Sequence, residues 1–509
     1  MEAARRVAVN GRTLSLEDVS AVARMDRKAY LTDEARTRVD AARTVVEEIL
    51  ASGEVAYGVN TGFGKLADVR ISPEQLGRLQ LNLVRSHACG VGEPFPREVV
   101  RAALLLRANV LATGYSGCRP VVVDTVLAML NAGIHPVVPS QGSVGACGDL
   151  APLAHLALAM IGEGEVELGG ERISAREALD GTGIRPLELQ AKEGLALING
   201  TQVSAAVAAL AVIDASVLVD AADVVCAVTL DAVAGTDAAF DEAVHAARPH
   251  PGQVESARRL RWLMAGSGVR DSHRECGRVQ DAYSLRCSPQ VHGAVRDALA
   301  QARRVLAVEL NAATDNPMVM PDGRIVSGGN FHGAPLAAVT DYLALALVDL
   351  ASISERRLAR LVDASLSGLP RFLTSAPGIN SGFMMVQVTA AALVSECKTL
   401  AHPASVDSIP TSANQEDHVS MSTWSARKLA QVVAAVRRVL ATELLGAAQG
   451  LEFHRPLRSS PPVEEVVARL REHVPRLEQD RVLATDIDAA TAIVNDLGDI
   501  VPVVPSPGT

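Results

Sequence analysis

The segment Gly142-Ser-Val-Gly-Ala-Cys-Gly-Asp149 concentrates more chemically unusual residues than any other, and Leu-Ala-Pro152 follows it directly. Gly142, Gly145 and Gly148 open backbone geometries closed to other residues. Asp149 is placed to cap a helix carrying Pro152 in its early turn. Cys147 then lies at a helix N-terminus, where partial positive charge favours anions. Three readings fit these residues. The segment can be a plain turn and cap. Cys147 can be a thiolate nucleophile of lowered pKa, with His155 nearby. Alternatively the Gly148 amide can attack the Ala146 carbonyl. Loss of water and of the Cys147 sulfur would then leave an electron-poor methylidene imidazolone.

Other polar, glycine-dense loops carry further chemistry-bearing residues. They are Tyr57-Gly-Val-Asn-Thr-Gly-Phe-Gly64, Ser86-His-Ala-Cys-Gly90, 280–286, 327–332 and 414–418. Polar loops over a rigid frame are where binding and catalysis concentrate. A metal site at Glu416-Asp417-His418 is not expected, because no second cluster at ligand spacing accompanies it.

The frame that positions these loops reads as helical. Residues 202–234 contain neither Gly nor Pro and place apolar side chains in near-helical steps. Similar stretches at 294–313, 338–366 and 427–449 predict long helices, the first ending before Asn316-Pro317. Helices of this length suggest a bundle, often shared between subunits. The first half predicts shorter helices, such as 98–113. Pro461-Pro462 reads as a loop and 502–507 as a frayed tail.

Composition excludes several classes. Of 509 residues, 48% are hydrophobic and 21% charged, so the chain can bury a large core. At ~150 residues per domain the length allows about three domains. Aromatic residues make up 3% and the net charge is −10, which argues against nucleic-acid partners. Seven cysteines without a CxxC pair suit reduced thiols in a cytoplasmic protein. Residues 194–213 carry no charge, but Asn199, Thr201 and Gln202 lie among them. A buried soluble helix is therefore expected rather than a membrane span.

The 142–155 segment resembles the prosthetic-group loop of the histidine and aromatic amino-acid ammonia-lyases. The resemblance continues through the 57–64, 192–201, 280–287, 311–317, 327–332 and 412–418 motifs, from about Tyr57 to beyond Gly450. It implies an all-α fold with a long central helix bundle and a loop-rich N-terminal part, of ammonia-lyase/fumarase-like architecture. The expected parts are 1–200, carrying the ring-forming triplet, and 201–509, the helical bundle, together forming one catalytic unit. The family forms homotetramers, builds each active site from three subunits and needs no diffusible cofactor. Its 4-methylidene-imidazol-5-one (MIO) group would arise here from Ala146, Cys147 and Gly148. The family's triplet is normally Ala-Ser-Gly. Sulfide is a competent leaving group for the required β-elimination, so the same ring is expected from Cys147.

By the same resemblance Tyr57 is the base, and its phenolate must be stabilised, since a Tyr pKa of ~10 is poorly poised at neutral pH. Arg286 would hold the substrate carboxylate. Asn199, Gln280 and Tyr283 would hydrogen-bond the prosthetic and amino groups, and Phe331 and Met384 would wall the substrate. Tyr283 and Glu416 join Tyr57 as catalytic residues. His87 and the Gln415-Glu416 pair would satisfy the two nitrogens of an imidazole, whereas a phenyl ring would strand the carboxylate. The expected reaction removes ammonia from L-histidine to give trans-urocanate, the opening step of histidine breakdown. A tyrosine lyase or a 2,3-aminomutase is the alternative, as is an inert scaffold if Cys147 does not cyclise.

Overall fold

Alanine, leucine and valine fill the stretches between the polar loops; alanine and leucine favour helix, and the small alanines allow close packing. The computed structural model describes residues 6–501 and is predominantly helical. Strands among the described residues form short ribbons of two or three. One antiparallel ribbon pairs Val91–Pro94 with Pro139–Gln141, and so anchors the entry to the 142–149 segment.

The expected helices are present with shifted ends. They run over Arg97–Ala112, Gln202–Ala232, Ser288–Glu309, Ala334–Val362 and Ser422–Leu451. The helices expected at 294, 338 and 427 begin earlier, at Ser288, Ala334 and Ser422; in the first two, Pro289 and Pro335 occupy the first turn, where no amide donor is required. The 288–309 helix stops four residues short of expectation. Asn311 is instead drawn into tertiary bonds, accepting from the Leu14 amide at 2.8 Å and donating to the Leu14 carbonyl at 2.9 Å. Pro461 does not sit in a loop: Ser460 caps the helix Pro461–Arg471 and Pro461 opens it. The expected tail at 502–507 lies outside the described residues.

Backbone contacts group the chain into two units, one of Met1–Ala211, Arg303–Asp341 and Pro403–Arg427, the other of Val212–Ala302, Tyr342–His402 and Lys428–Thr509. Neither unit is continuous in sequence, and four of the five divisions fall inside long helices. Gln202–Ala232 and Ala334–Val362 are long and apolar enough to cross a membrane, but their most apolar windows are 72% and 61% buried. Most of each window is therefore buried inside the protein, as in a core helix.

In the second unit, one cluster of buried charges is closely paired. The Arg357 guanidinium grips Glu443 with Nε at 2.5 Å and Nη2 at 2.9 Å, while Thr229 and Ser354 donate to the same carboxylate. Asp223 accepts from Arg296 at 2.6 Å and Arg259 at 3.1 Å, and lies 2.8 Å from His292 Nδ1.

Candidate active site

Within the first unit, Tyr57, His87, Cys147, Asn199 and Glu416 line one cavity of about 460 Å³. Phe63, Leu66, Leu83 and Leu195 contribute its apolar wall.

The 142–149 segment is a tight bend rather than a simple cap. Gly145, Cys147 and Gly148 have φ of 70°, 53° and 70°, the left-handed region that Cys147 enters at an energetic cost. Gly148 and Gly200 approach backbone to backbone. A Cβ on Gly148 would lie 2.0 Å from the Gly200 carbonyl oxygen, so no other residue fits there without displacing the backbone. The Gly200 amide donates to the Cys147 carbonyl at 3.3 Å, and the Asp149 amide donates to the Gly200 carbonyl at 2.7 Å. Asp149 occupies the N-cap position of Leu150–Met160, but its side chain does not cap. It is fully buried and accepts instead from Ser143, from the Ser204 amide and hydroxyl, and from Thr423, at 2.6–3.0 Å. Ala146 packs against Ala404, Val419 and Met421.

The thiolate reading of Cys147 fails on electrostatics. Burial, then the adjacent Glu416 carboxylate, push the thiol up to about 12, and Sγ donates to Glu416 Oε1 at 3.2 Å. His155 is no partner base. Its Nε2 accepts from the Gly90 amide at 3.2 Å, and burial holds the ring below its ordinary pKa.

Glu416 is presented by a strained loop. Ser412, Ala413 and Asn414 are consecutive left-handed residues, none of them glycine. Thr411 closes the loop by bonding the Glu416 backbone, and its hydroxyl donates to Glu416 Oε2 at 2.7 Å. One carboxylate oxygen thus faces Thr411 and the other faces Cys147.

Tyr57 is held by a loop whose turns are set by side chains: Asn60 Oδ1 accepts from the Ala56 amide and Thr61 Oγ1 from the Gly58 amide. Burial raises its hydroxyl above the usual value, the Gly64 amide donation at 3.2 Å opposes this, and Cys147 and Glu416 reinforce it. The expected phenolate stabilisation is therefore not supplied around Tyr57 within this unit. Ser86 and His87 lie in the last turn of the helix Leu76–His87 rather than in a loop. His87 Nδ1 bonds the Leu83 carbonyl at 2.8 Å, which assigns the ring proton to Nδ1 and leaves Nε2 uncommitted. Asn199 is 3% exposed, and its Oδ1 has no hydrogen-bond partner among the described residues.

The remaining expected residues are not gathered at this cavity. Phe331 is half-buried and Gln415 exposed, and neither lines it. Gln280 and Tyr283 are exposed in the second unit, and the Arg286 guanidinium lies 4.7 Å from the Tyr283 ring centre. Met384 lines a separate second-unit cavity with Arg371 and Phe372. Among the described residues no three His, Cys, Asp or Glu side chains converge as a metal site would require.

Sequence reading overlooked Arg107, Ser204 and Thr423. Arg107 left a signal, the one charge in the run 102–111, where Asn109 is the only other polar residue.

Residues 14–472 match the aromatic amino acid lyase family, and the chain belongs to it. Among its relatives, the histidine ammonia-lyase of Koribacter versatilis is 54% identical over 500 residues, covering 96% of this chain and 97% of that one. The crystal structure of histidine ammonia-lyase from Trypanosoma cruzi superposes with a TM-score of 0.91 at 45% identity, covering 98% and 96% of the two chains. A tyrosine aminomutase from Streptomyces globisporus superposes at 0.92 with 38% identity and 97% coverage of both.

Proposed function

We propose that this carbon–nitrogen lyase eliminates ammonia from L-histidine, without oxidation, to give trans-urocanate and ammonium. The observation that carries the reading is the convergence of Tyr57, His87, Cys147, Asn199 and Glu416 on one cavity.

The β-hydrogen of histidine is too weakly acidic for any side-chain base acting alone, so an electron sink is needed. An MIO group formed from Ala146, Cys147 and Gly148 would supply the electrophile that makes the elimination feasible. The triplet fits its formation: Cys147 and Gly148 are bent through two left-handed residues, and Gly148 sits where only glycine is accommodated. The unpartnered Asn199 Oδ1 is poised to accept from a bound amine or ring.

Each remaining task falls to a residue of the chain. Tyr57 takes the β-proton. Glu416 accepts from one imidazole N–H, and His87, with a second ring proton on Nε2, donates to the other nitrogen. Self-association into a homotetramer would bring Gln280, Tyr283, Arg286, Phe331, Met384 and Gln415 of neighbouring copies to the substrate. A planar guanidinium grips a carboxylate through two bonds. The exposure of Tyr283 at 70% and the unpartnered Arg286 Nε support their use between copies. A cation brought in this way would also lower the Tyr57 hydroxyl. Free cysteines without a disulfide among the described residues favour a cytoplasmic enzyme.

A panel of L-histidine, L-tyrosine and L-phenylalanine, followed by ultraviolet absorbance of the unsaturated product, tests the reading. Urocanate from histidine alone is expected. The structural likeness to a tyrosine aminomutase keeps a second outcome in view, in which tyrosine yields a β-amino acid and histidine yields nothing.

A further inference from the structure

Arg107 lies inside the helix Arg97–Ala112, among Ala103, Leu104, Leu106, Ala108 and Val110, and is 2% exposed. Placing a guanidinium there is costly unless it is bonded. Its partners are not carboxylates. Nη1 donates to the Ala196 carbonyl at 2.6 Å, and Nη1 and Nη2 both donate to the Asn199 carbonyl at 2.9 Å. Burial lowers it to about 10, so it stays charged at neutral pH.

The Asn199 carbonyl belongs to the same peptide group as the Gly200 amide, and that amide donates to the Cys147 carbonyl oxygen at 3.3 Å. Two charge-assisted bonds on the oxygen of a conjugated peptide draw electron density away from its nitrogen and strengthen its N–H as a donor. Gly200 is needed for this route. Its φ is 136°, and a Cβ there would lie 2.5 Å from Arg107 Nη2 and 2.6 Å from the Thr314 carbonyl oxygen.

We propose that Arg107 is a positioning residue for maturation of the triplet, acting through the Asn199–Gly200 peptide to stabilise negative charge on the Cys147 carbonyl oxygen. The inference rests on the ring-forming reading above. Ring closure joins Gly148 N to the Ala146 carbonyl carbon. The Ala146 oxygen leaves as water with one proton from Gly148 N and one from Cys147 N, and a C=N bond forms. In the elimination, Cys147 Cα loses its proton and the electron pair delocalises onto the Cys147 carbonyl oxygen. Its return forms the Cα=Cβ bond and expels sulfide, which leaves with the proton as hydrogen sulfide. The Gly200 N–H already points at the oxygen where that charge develops, the geometry by which backbone amides stabilise oxyanions. Nothing else about Arg107 requires a fork on this carbonyl: Asp315 and Asp149 offset its charge through space without bonding it.

The test follows maturation rather than turnover. Cell-free synthesised chains with Cys147 and with Cys147→Ser are sampled by intact mass over time, each with Arg107, Arg107→Lys or Arg107→Gln. Arg107→Gln keeps one donor without the charge, and Arg107→Lys keeps the charge without the fork. Loss of the mass of water and of the leaving group is expected to slow by about tenfold in Arg107→Gln and less in Arg107→Lys. Far-ultraviolet dichroism and thermal midpoints should stay near those of the parent. Hydrogen exchange at the peptide containing Gly200 should quicken in step with the loss. Equal maturation rates in parent and variants would overturn the inference. So would a rate defect that merely tracks the thermal midpoint across the two variants. If Arg107→Gln does not fold, Arg107→Lys alone carries the comparison. Parent chains of both triplets that keep their full mass would instead remove the ring-forming reading itself, and this inference with it.

Discussion

Two buried polar regions of this chain are built on opposite terms. In the second unit, Arg357, Glu443, Asp223 and Arg296 form a network in which opposite charges meet at 2.5–2.9 Å and hydroxyls fill the remaining sites. Around the first-unit cavity, groups are held at a cost. The Cys147 thiol faces a carboxylate that raises it, Tyr57 is pushed away from ionisation, Asn199 Oδ1 lacks a partner, and four left-handed non-glycine residues support the loops. The first arrangement settles its own electrostatics. The second leaves acceptors and donors unanswered, which is what a site awaiting a reaction requires.

Removing the leaving group should break this contrast most severely. Cys147→Ala keeps the bend but has nothing to eliminate, so urocanate formation should fall by at least about 10³-fold, with the full mass of the chain retained. Near-parental turnover would show that the triplet is not the source of the electrophile. Tyr57→Phe comes next. It removes the hydroxyl that accepts from Gly64 but leaves the triplet untouched. Turnover should drop by about 10²–10⁴-fold with normal loss of mass and little change in KM. Because burial raises the Tyr57 hydroxyl, the parent should gain activity on the alkaline side as the phenolate fraction grows. An activity plateau from neutral pH downward would argue against a phenol base.

Glu416→Gln sharpens the comparison, since Glu416 borders the Cys147 thiol and is the residue proposed to recognise the imidazole. Histidine turnover is expected to fall by about 10²-fold. In any uncyclised fraction, losing the carboxylate should let the Cys147 pKa fall from about 12, so alkylation at pH 8 should quicken. Unchanged histidine turnover would remove Glu416 from substrate recognition, whatever the alkylation rate.

The two regions were also unequally legible in the sequence. The long helices could be read from periodicity, and their ends could not, because Pro289, Pro335 and Asn311 act through first-turn chemistry and tertiary bonds. The residues lining the cavity were legible as motifs: Tyr57, His87, Cys147, Asn199 and Glu416 all sit in polar segments that resemble a family. Their mutual effects were not. Nothing local in Ala-Cys-Gly-Asp reveals that Asp149 gathers hydroxyls from Ser143, Ser204 and Thr423, or that Glu416 lies 3.2 Å from Cys147 Sγ. Apart from Ser143, six residues away, those partners are distant in sequence, and the polarity of each is ambiguous until the fold brings it to a partner. The paired network of the second unit was illegible for the same reason.

That network should respond to pH through stability alone. His292 is fully buried, and burial lowers it from its ordinary 6.5 despite the neighbouring Asp223. Below 6.5 the unfolded chain therefore binds a proton that the folded chain refuses, so stability rises with pH through this range and is lost as pH falls below it. Asp223 acts in the same direction lower down. Burial raises it, but Arg296, His292 and Arg259 together hold it below the usual carboxylate range, so its contribution is lost as pH falls below 3.8. Urea unfolding of the parent at pH 5 and pH 7.5 should show the acid loss, with a slope of at most about 1.4 kcal/mol per pH unit from His292. His292→Gln should flatten that slope near pH 6 while leaving the mass and the pH profile of turnover unchanged. If the variant moves the turnover profile instead, the second-unit network is coupled to the chemistry, and the division between a settled region and a poised one does not hold.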